Sequence, residues 1–191
     1  MCTDQRLCMK GTGKMSLLDK FRKTNAAEKP ETIALQLAPN TVVAPCSGKG
    51  VLMADLPDPV FASGVMGASY GIEPVGDVLY APVTGTVTAT TPTLHALGLE
   101  SDDGVEVLLH IGVDTVTLRG DGFESFVSQG QHVIAGEALM RFDRNKVKAA
   151  GFADTIITVV TNSYDFAQVD TIEAHDVEVG QTIIHITRAE A

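Results

Sequence analysis

The sequence contains no tryptophan and only 7 Phe and 3 Tyr among its 191 residues. Basic groups are also short, with 14 Lys and Arg against 24 Asp and Glu. No apolar run approaches the ~18 residues of a membrane-spanning helix. The first residues, MCTDQRLCMKGTGK, lack the continuous apolar stretch of a signal peptide. The three cysteines (Cys2, Cys8, Cys46) are an odd number without paired spacing, which suits a reducing compartment. Cys2 and Cys8 have no second pair with which to close a metal site. A cytoplasmic protein is expected. The net charge of −10 is uneven: residues 1–29 hold seven basic and three acidic groups, which leaves −14 on the remainder. So acidic a body excludes nucleic acid, which needs clustered Lys and Arg, and suits a partner with a basic face.

The chain reads as a basic tail over residues 1–31 followed by one domain over 32–191. In the tail, MSLLDKFRK (15–23) places Leu17, Leu18 and Phe21 on one helical face with Lys20, Arg22 and Lys23 beside them. Two readings stand: a short amphipathic helix for peripheral contact with an anionic membrane surface, or a frayed tail. From Ile33 onward, short β-branched runs alternate with Gly, Pro and Asp turns about every 10 residues, the pattern of an all-β antiparallel sandwich or barrel-sandwich hybrid. Gly122–Gln129 and Arg144–Ala150 are the candidate short helices. Two internal similarities predict pseudo-symmetric halves within one domain: Ala44-Pro45-Cys46-Ser47-Gly48 with Ala81-Pro82-Val83-Thr84-Gly85, and Gln129-Gly130-Gln131-His132-Val133 with Val179-Gly180-Gln181-Thr182-Ile183.

Of five histidines, His132 and His175 sit in polar, turn-like contexts, and His185 alternates with Ile184 and Ile186. His95 and His110 flank Ser101-Asp102-Asp103-Gly104, a hairpin signal. If Glu100 opposes Val105, His95 directly opposes His110; if Asp103-Gly104 is a two-residue turn, the two meet on the diagonal. Both registers place the imidazoles on one face. One imidazole of such a pair can take a phosphoryl group while the other hydrogen-bonds its oxygens. Two histidines can also begin a zinc site, which needs three or four ligands, or form a plain buried pair. Gly112 permits close backbone approach, Asp114 offers a carboxylate, and Thr93 shares the strand face of His95. A lipoyl-type carrier would need a lysine at the 101–104 tip, which has none. A zinc peptidase would draw on the short His110/Asp114 spacing, but no H-x-H supplies further ligands.

The stretches PDPVFASGVMG (57–67), APVTGTV (81–87), TLHALGLESDDGVEVLLHIGVDTVTLRGDGF (93–123) and GQHVIAGEALMRFD (130–143) resemble the glucose-type IIA component of the bacterial phosphoenolpyruvate-dependent sugar phosphotransferase system. The resemblance, which runs from about Thr32 to the C-terminus, implies a compact β-sandwich that carries phosphate. His110 would accept it from the phosphocarrier protein HPr and pass it to a cysteine of a IIB domain, with sugar entering through IIC. His95 and Thr93 would support the transfer. The docking surface would include Asp58, Phe61, Val65, Met66, Leu108, Gly112 and Asp114. In some members the two histidines complete a zinc site with a partner's carboxylate, although no cofactor is required. Some members have regulatory target proteins, and a tail like MSLLDKFRK touches the inner face of the membrane. Three positions depart from the family pattern: Thr91 and Leu108 where Phe is frequent, and Gly50 where a β-branched residue is usual.

Overall fold

A computed structural model describes residues 28–189. The tail helix expected over 15–23 lies outside the described residues. Among the described residues fourteen strands, all paired antiparallel, form three sheets. The strands are β1 (Thr41–Val43), β2 (Gly48–Leu52), β3 (Ala68–Pro74), β4 (Val78–Tyr80), β5 (Gly85–Thr90), β6 (Ala96–Ser101) and β7 (Glu106–Ile111), then β8 (Phe123–Ser125), β9 (His132–Val133), β10 (Ala138–Phe142), β11 (Ile156–Val160), β12 (Gln168–Thr171), β13 (Asp176–Val177) and β14 (Thr182–Thr187). The large sheet runs β13-β2-β3-β11-β7-β6-β5-β9; the small ones run β1-β14-β12 and β4-β10-β8. The fold is the all-β sandwich that the turn spacing predicts.

Side-chain alternation gives the large sheet two apolar faces. Val107, Leu109 and Ile111 of β7, with Ile156 and Val160 of β11, join residues of both small sheets in the main core. Their neighbours Leu108, Ile157 and Val159 point the other way. That outer face is covered by residues 53–62, whose Leu56 and Phe61 close a second, smaller cluster. Here Asp58 caps the short helix Pro59–Ala62: its carboxylate accepts from Val60 N at 2.8 Å, and proline occupies the first turn where no N–H is needed.

The halves are related by a pseudo-two-fold axis passing between β7 and β11, because each sheet order maps onto its counterpart element by element. The first predicted repeat is its signature. Val43 N bonds Pro82 O (3.1 Å) and Tyr80 N bonds Pro45 O (2.8 Å). The hydroxyls of Ser47 and Thr84 do the same work, accepting from Val179 N (2.9 Å) and Ala135 N (3.0 Å). The second predicted repeat is misaligned. Ala44 and Ala81 bond Gln181 and Glu137 equivalently, so the counterpart of Val179–Thr182 is Ala135–Ala138 rather than Gln129–His132. Gly130, Gly136 and Gly180 all turn in the left-handed region with φ of 84°, so their local sequences look alike. Of the predicted helices, Arg144–Ala149 forms with Asp143 as its cap, whereas 122–129 contributes strand β8. Phe123 is drawn into the core opposite Phe142, and packing overrides the local pattern.

Candidate functional site

His110 projects from β7 onto the outer face, where the Phe61 ring packs against it with centroids 5.1 Å apart. Its Nδ1 lies 2.8 Å from the Gly112 carbonyl oxygen. A carbonyl only accepts, so Nδ1 carries the proton and Nε2 keeps its lone pair. Gly112 is suited to this bend. Its φ is +70°, and a Cβ there would lie 2.5 Å from Thr115 Cγ2 and 2.7 Å from Ala153 O. The Thr115 hydroxyl bonds Ile111 O, and Gly112 N bonds Thr155 O at 2.9 Å, which fixes the turn.

His95 reaches the same place by a route that strand parity does not give. Strand β6 pairs with β7 as Ala96↔His110, Gly98↔Leu108 and Glu100↔Glu106. The loop is three residues, with Ser101 bonded to Val105 (2.9 Å) and Gly104 in the left-handed region. This register lies between the two predicted ones and reverses the parity: continued backward, it sets His95 opposite Ile111, a core residue. His95 nevertheless meets His110 because it precedes the strand and follows Leu94, whose φ of +55° turns the chain. The two imidazole centroids are 5.1 Å apart and edge-to-face at 81°. The predicted pair exists, but the reason is the Leu94 turn.

Two hydroxyls face His95 Nδ1: Thr93 Oγ1 at 2.6 Å and Thr91 Oγ1 at 3.3 Å. Burial lowers the pKa of both histidines from the ordinary value of 6.5. At His110 the Gly112 carbonyl opposes this, the neighbouring His95 adds to it, and Asp58 and Asp114 oppose it more weakly. Both rings are therefore neutral at neutral pH.

The remaining predicted site residues surround the pair. Phe61 is buried, Leu108 is half-buried against the outer cluster, and Gly112 holds the His110 turn. Val65 and Met66 are exposed at 66% and 39%, unusual for large apolar side chains. Asp58 is partly buried at its helix cap, and Asp114 is exposed with φ of +59°. Sequence reasoning missed the exposed Val60 and Val116 on the two flanking segments. It also missed the directly opposed carboxylates Glu100 and Glu106, further along the face of Leu108 and His110, and Thr91 as a partner of His95. A corrected register for the hairpin would have revealed the carboxylate pair. Gly50 is not on this rim: a Cβ there would collide with the Tyr70 hydroxyl, so its small size makes room for that buried ring. His132, His175 and His185 are exposed and away from the pair.

A zinc ion does not fit this chain alone. Among the described residues no three His, Cys, Asp or Glu side chains cluster, and the two imidazoles fall short of the three or four ligands zinc takes.

Fold and site define a β-sandwich domain with a neutral histidine pair set in an apolar rim. The glucose permease IIA from Mycoplasma capricolum has this fold, with a TM-score of 0.67 and 35% identity over 75% of this chain and 93% of that one. The family model for the phosphoenolpyruvate-dependent sugar phosphotransferase system, EIIA 1, matches residues 40–166, and the chain belongs to that family. It is 38% identical over 147 residues to a glucose-specific EIIA component of Staphylococcus aureus (strain COL), covering 76% of this chain and 89% of that protein. It is 39% identical over 147 residues to a beta-glucoside-specific EIIBCA component of Halalkalibacterium halodurans. The match covers 77% of this chain but only 23% of the length of that relative. Among the described residues no helix is long and apolar enough to cross a membrane.

Proposed function

We propose that the protein is a cytoplasmic phosphoryl carrier that accepts phosphate from phospho-HPr on His110 and passes it to a cysteine of a cognate IIB domain. The observation that carries this reading is the His110 Nδ1–Gly112 O bond, which leaves Nε2 as the nucleophile. Nε2 attacks the donor's phosphorus; a new N–P bond forms as the bond to the carrier's histidine breaks. In the second step a IIB thiolate attacks the same phosphorus and His110 leaves with its electron pair. His95, held through Thr93, faces His110 and hydrogen-bonds the phosphoryl oxygens in transit. Phe61 and Leu108 keep water from a hydrolysable bond. Val60, Val65 and Met66 give the partner an apolar seat, and Asp58, Asp114, Glu100 and Glu106 meet its basic groups. Relatives named as EIIBCA components favour a IIB partner. A zinc ion shared with a partner's carboxylate would use the same two imidazoles in place of phosphate.

Incubation with phosphoenolpyruvate, enzyme I and HPr should label the protein with acid-labile phosphate, which mass spectrometry places on His110. A label that survives in His110→Ala would sink the assignment. His95→Gln should still accept phosphate but pass it to IIB at least ~100-fold more slowly, the usual worth of a positioned acid–base group. Normal onward transfer would remove the role given to His95.

A further inference from the structure

Tyr164 is 78% exposed, more than any other large apolar side chain among the described residues, and it is the one aromatic among those that are exposed. Exposure alone would make it an ordinary surface residue. Its surroundings hold it in place. It lies in the one-turn helix Ser163–Asp165, just past β11. Asn162 fixes the start of that turn to the β6–β7 hairpin: its Oδ1 accepts from Glu106 N at 2.9 Å and its Nδ2 donates to Gly104 O at 3.0 Å. Asp165 N returns to Asn162 O at 3.0 Å, and Phe166 packs against the main core. At the other end, the Tyr164 hydroxyl donates to Gly64 O at 3.3 Å. The side chain is thus tied at backbone and tip, with most of its surface left to solvent.

The tie at the tip shows where the ring belongs. Gly67 N also bonds Gly64 O, at 3.0 Å, and this closes the turn that carries the exposed Val65 and Met66. Gly67 runs so near β11 that a Cβ there would lie 2.1 Å from Val160 O. Val160 is three residues along β11 from Ile157, which pairs with His110, so the turn meets the sheet roughly 10 Å from the histidine. A protein interface of standard size covers roughly 800 Å² a side, a disc about 16 Å in radius. A partner that reaches His110 Nε2 therefore covers the Val65–Met66 turn and meets Tyr164 at its margin. Carboxylates stand along the same segment: Asp165 is exposed, and Glu106 Oε2 lies 3.3 Å from Thr161 Oγ1. An aromatic face beside carboxylates suits a lysine or arginine, through cation–π contact and charge together.

We infer that Tyr164 is a docking residue for the phosphoryl donor: a basic side chain of the carrier packs on its ring while the carrier's apolar patch covers Val65 and Met66. The inference rests on the proposed phosphocarrier reading for the identity of that donor, HPr. The ring supplies the anchor and the hydroxyl steadies the turn beside it. Both are fixed before the partner arrives, so little side-chain freedom is lost on association.

Calorimetric titration of the full chain with unphosphorylated HPr, alongside the KM for transfer from phospho-HPr, tests this. Tyr164→Ala should raise both Kd and KM at least about five-fold, the loss that marks a contributing interface residue, with little change in kcat. Tyr164→Phe keeps the ring and should bind within about two-fold of wild type, since one exposed hydrogen bond is weak. Ile134→Ala removes another exposed apolar side chain, close to the Gly136 turn and away from the histidines, and should leave HPr binding unchanged. Undiminished HPr binding by Tyr164→Ala would overturn the inference, even if transfer to IIB slowed. So would equal weakening in Ile134→Ala, or no binding of HPr to wild type. If HPr binds through Tyr164 but no phosphate reaches His110, the phosphocarrier reading falls and the docking residue stands.

Discussion

The Gly112 carbonyl, two residues beyond His110, determines which nitrogen of that ring is free. The sequence shows a glycine there and permits a close approach; that its oxygen points back at the histidine is visible only in three dimensions. Gly112→Ala should lower stability by ~1–3 kcal/mol, since the residue combines a left-handed φ with crowding by Thr115 and Ala153. Thermal unfolding measures the loss, and a shifted His110 ring should slow phosphate uptake more than the stability change explains. The lowered pKa of His110 gives a signed expectation. A histidine kept neutral by burial contributes stability that is complete above its unfolded value of about 6.5 and is lost as pH falls through the folded value. Phosphate acceptance should therefore stay flat from pH 8 to about 6.5 and fall only in more acid solution, where Nε2 is protonated. A fall already complete at pH 7 would contradict the neutral ring.

The hairpin of β6 and β7 shows which parts of an element are legible before its structure. Ser101-Asp102-Asp103-Gly104 marks the turn plainly; His110 lies on its second arm and His95 one residue before its first. Loop length is not legible. Two-, three- and four-residue loops all suit Asp and Gly, and each one-residue change flips the face of every side chain. The three-residue loop is the one formed, and Leu94 then restores by a backbone turn what the register takes from His95. A positive φ at leucine carries no sequence signal. Strand β11 holds a separate anomaly. Thr158 is fully buried in the main core and its hydroxyl finds no partner among the described residues. Thr158→Val should leave the fold intact and raise stability by up to ~1 kcal/mol, as relief of an unpaired buried hydroxyl does. A loss of stability in a denaturant titration would show that the hydroxyl is satisfied after all.

At the scale of the whole molecule, the repeated A-P-x-S/T-G reports the pseudo-two-fold because its residues make the same backbone and hydroxyl bonds in each half. The second repeat misled because turn glycines resemble one another whatever they pack against. The symmetry stops at the function. In β11, across the axis from β7, Ile157 and Val159 face outward under the segment that carries Phe61, where β7 presents Leu108 and His110. One half supplies the histidines and the other the apolar floor. Residues 30–191 carry a net charge of −14, so association with a basic carrier should be steered at long range. The on-rate for HPr should fall about ten-fold between about 50 and 500 mM salt, followed by stopped flow, while transfer within the complex changes little.

The central claim is that phosphate rests on Nε2 of His110. Phosphorylating the protein with phosphoenolpyruvate, enzyme I and HPr and correlating 31P with the imidazole protons and nitrogens by NMR tests it at the atom. Coupling to Nε2 of His110, with Nδ1 still protonated toward Gly112, is the predicted result. Phosphate on Nδ1 of that ring, or on His95, would contradict it.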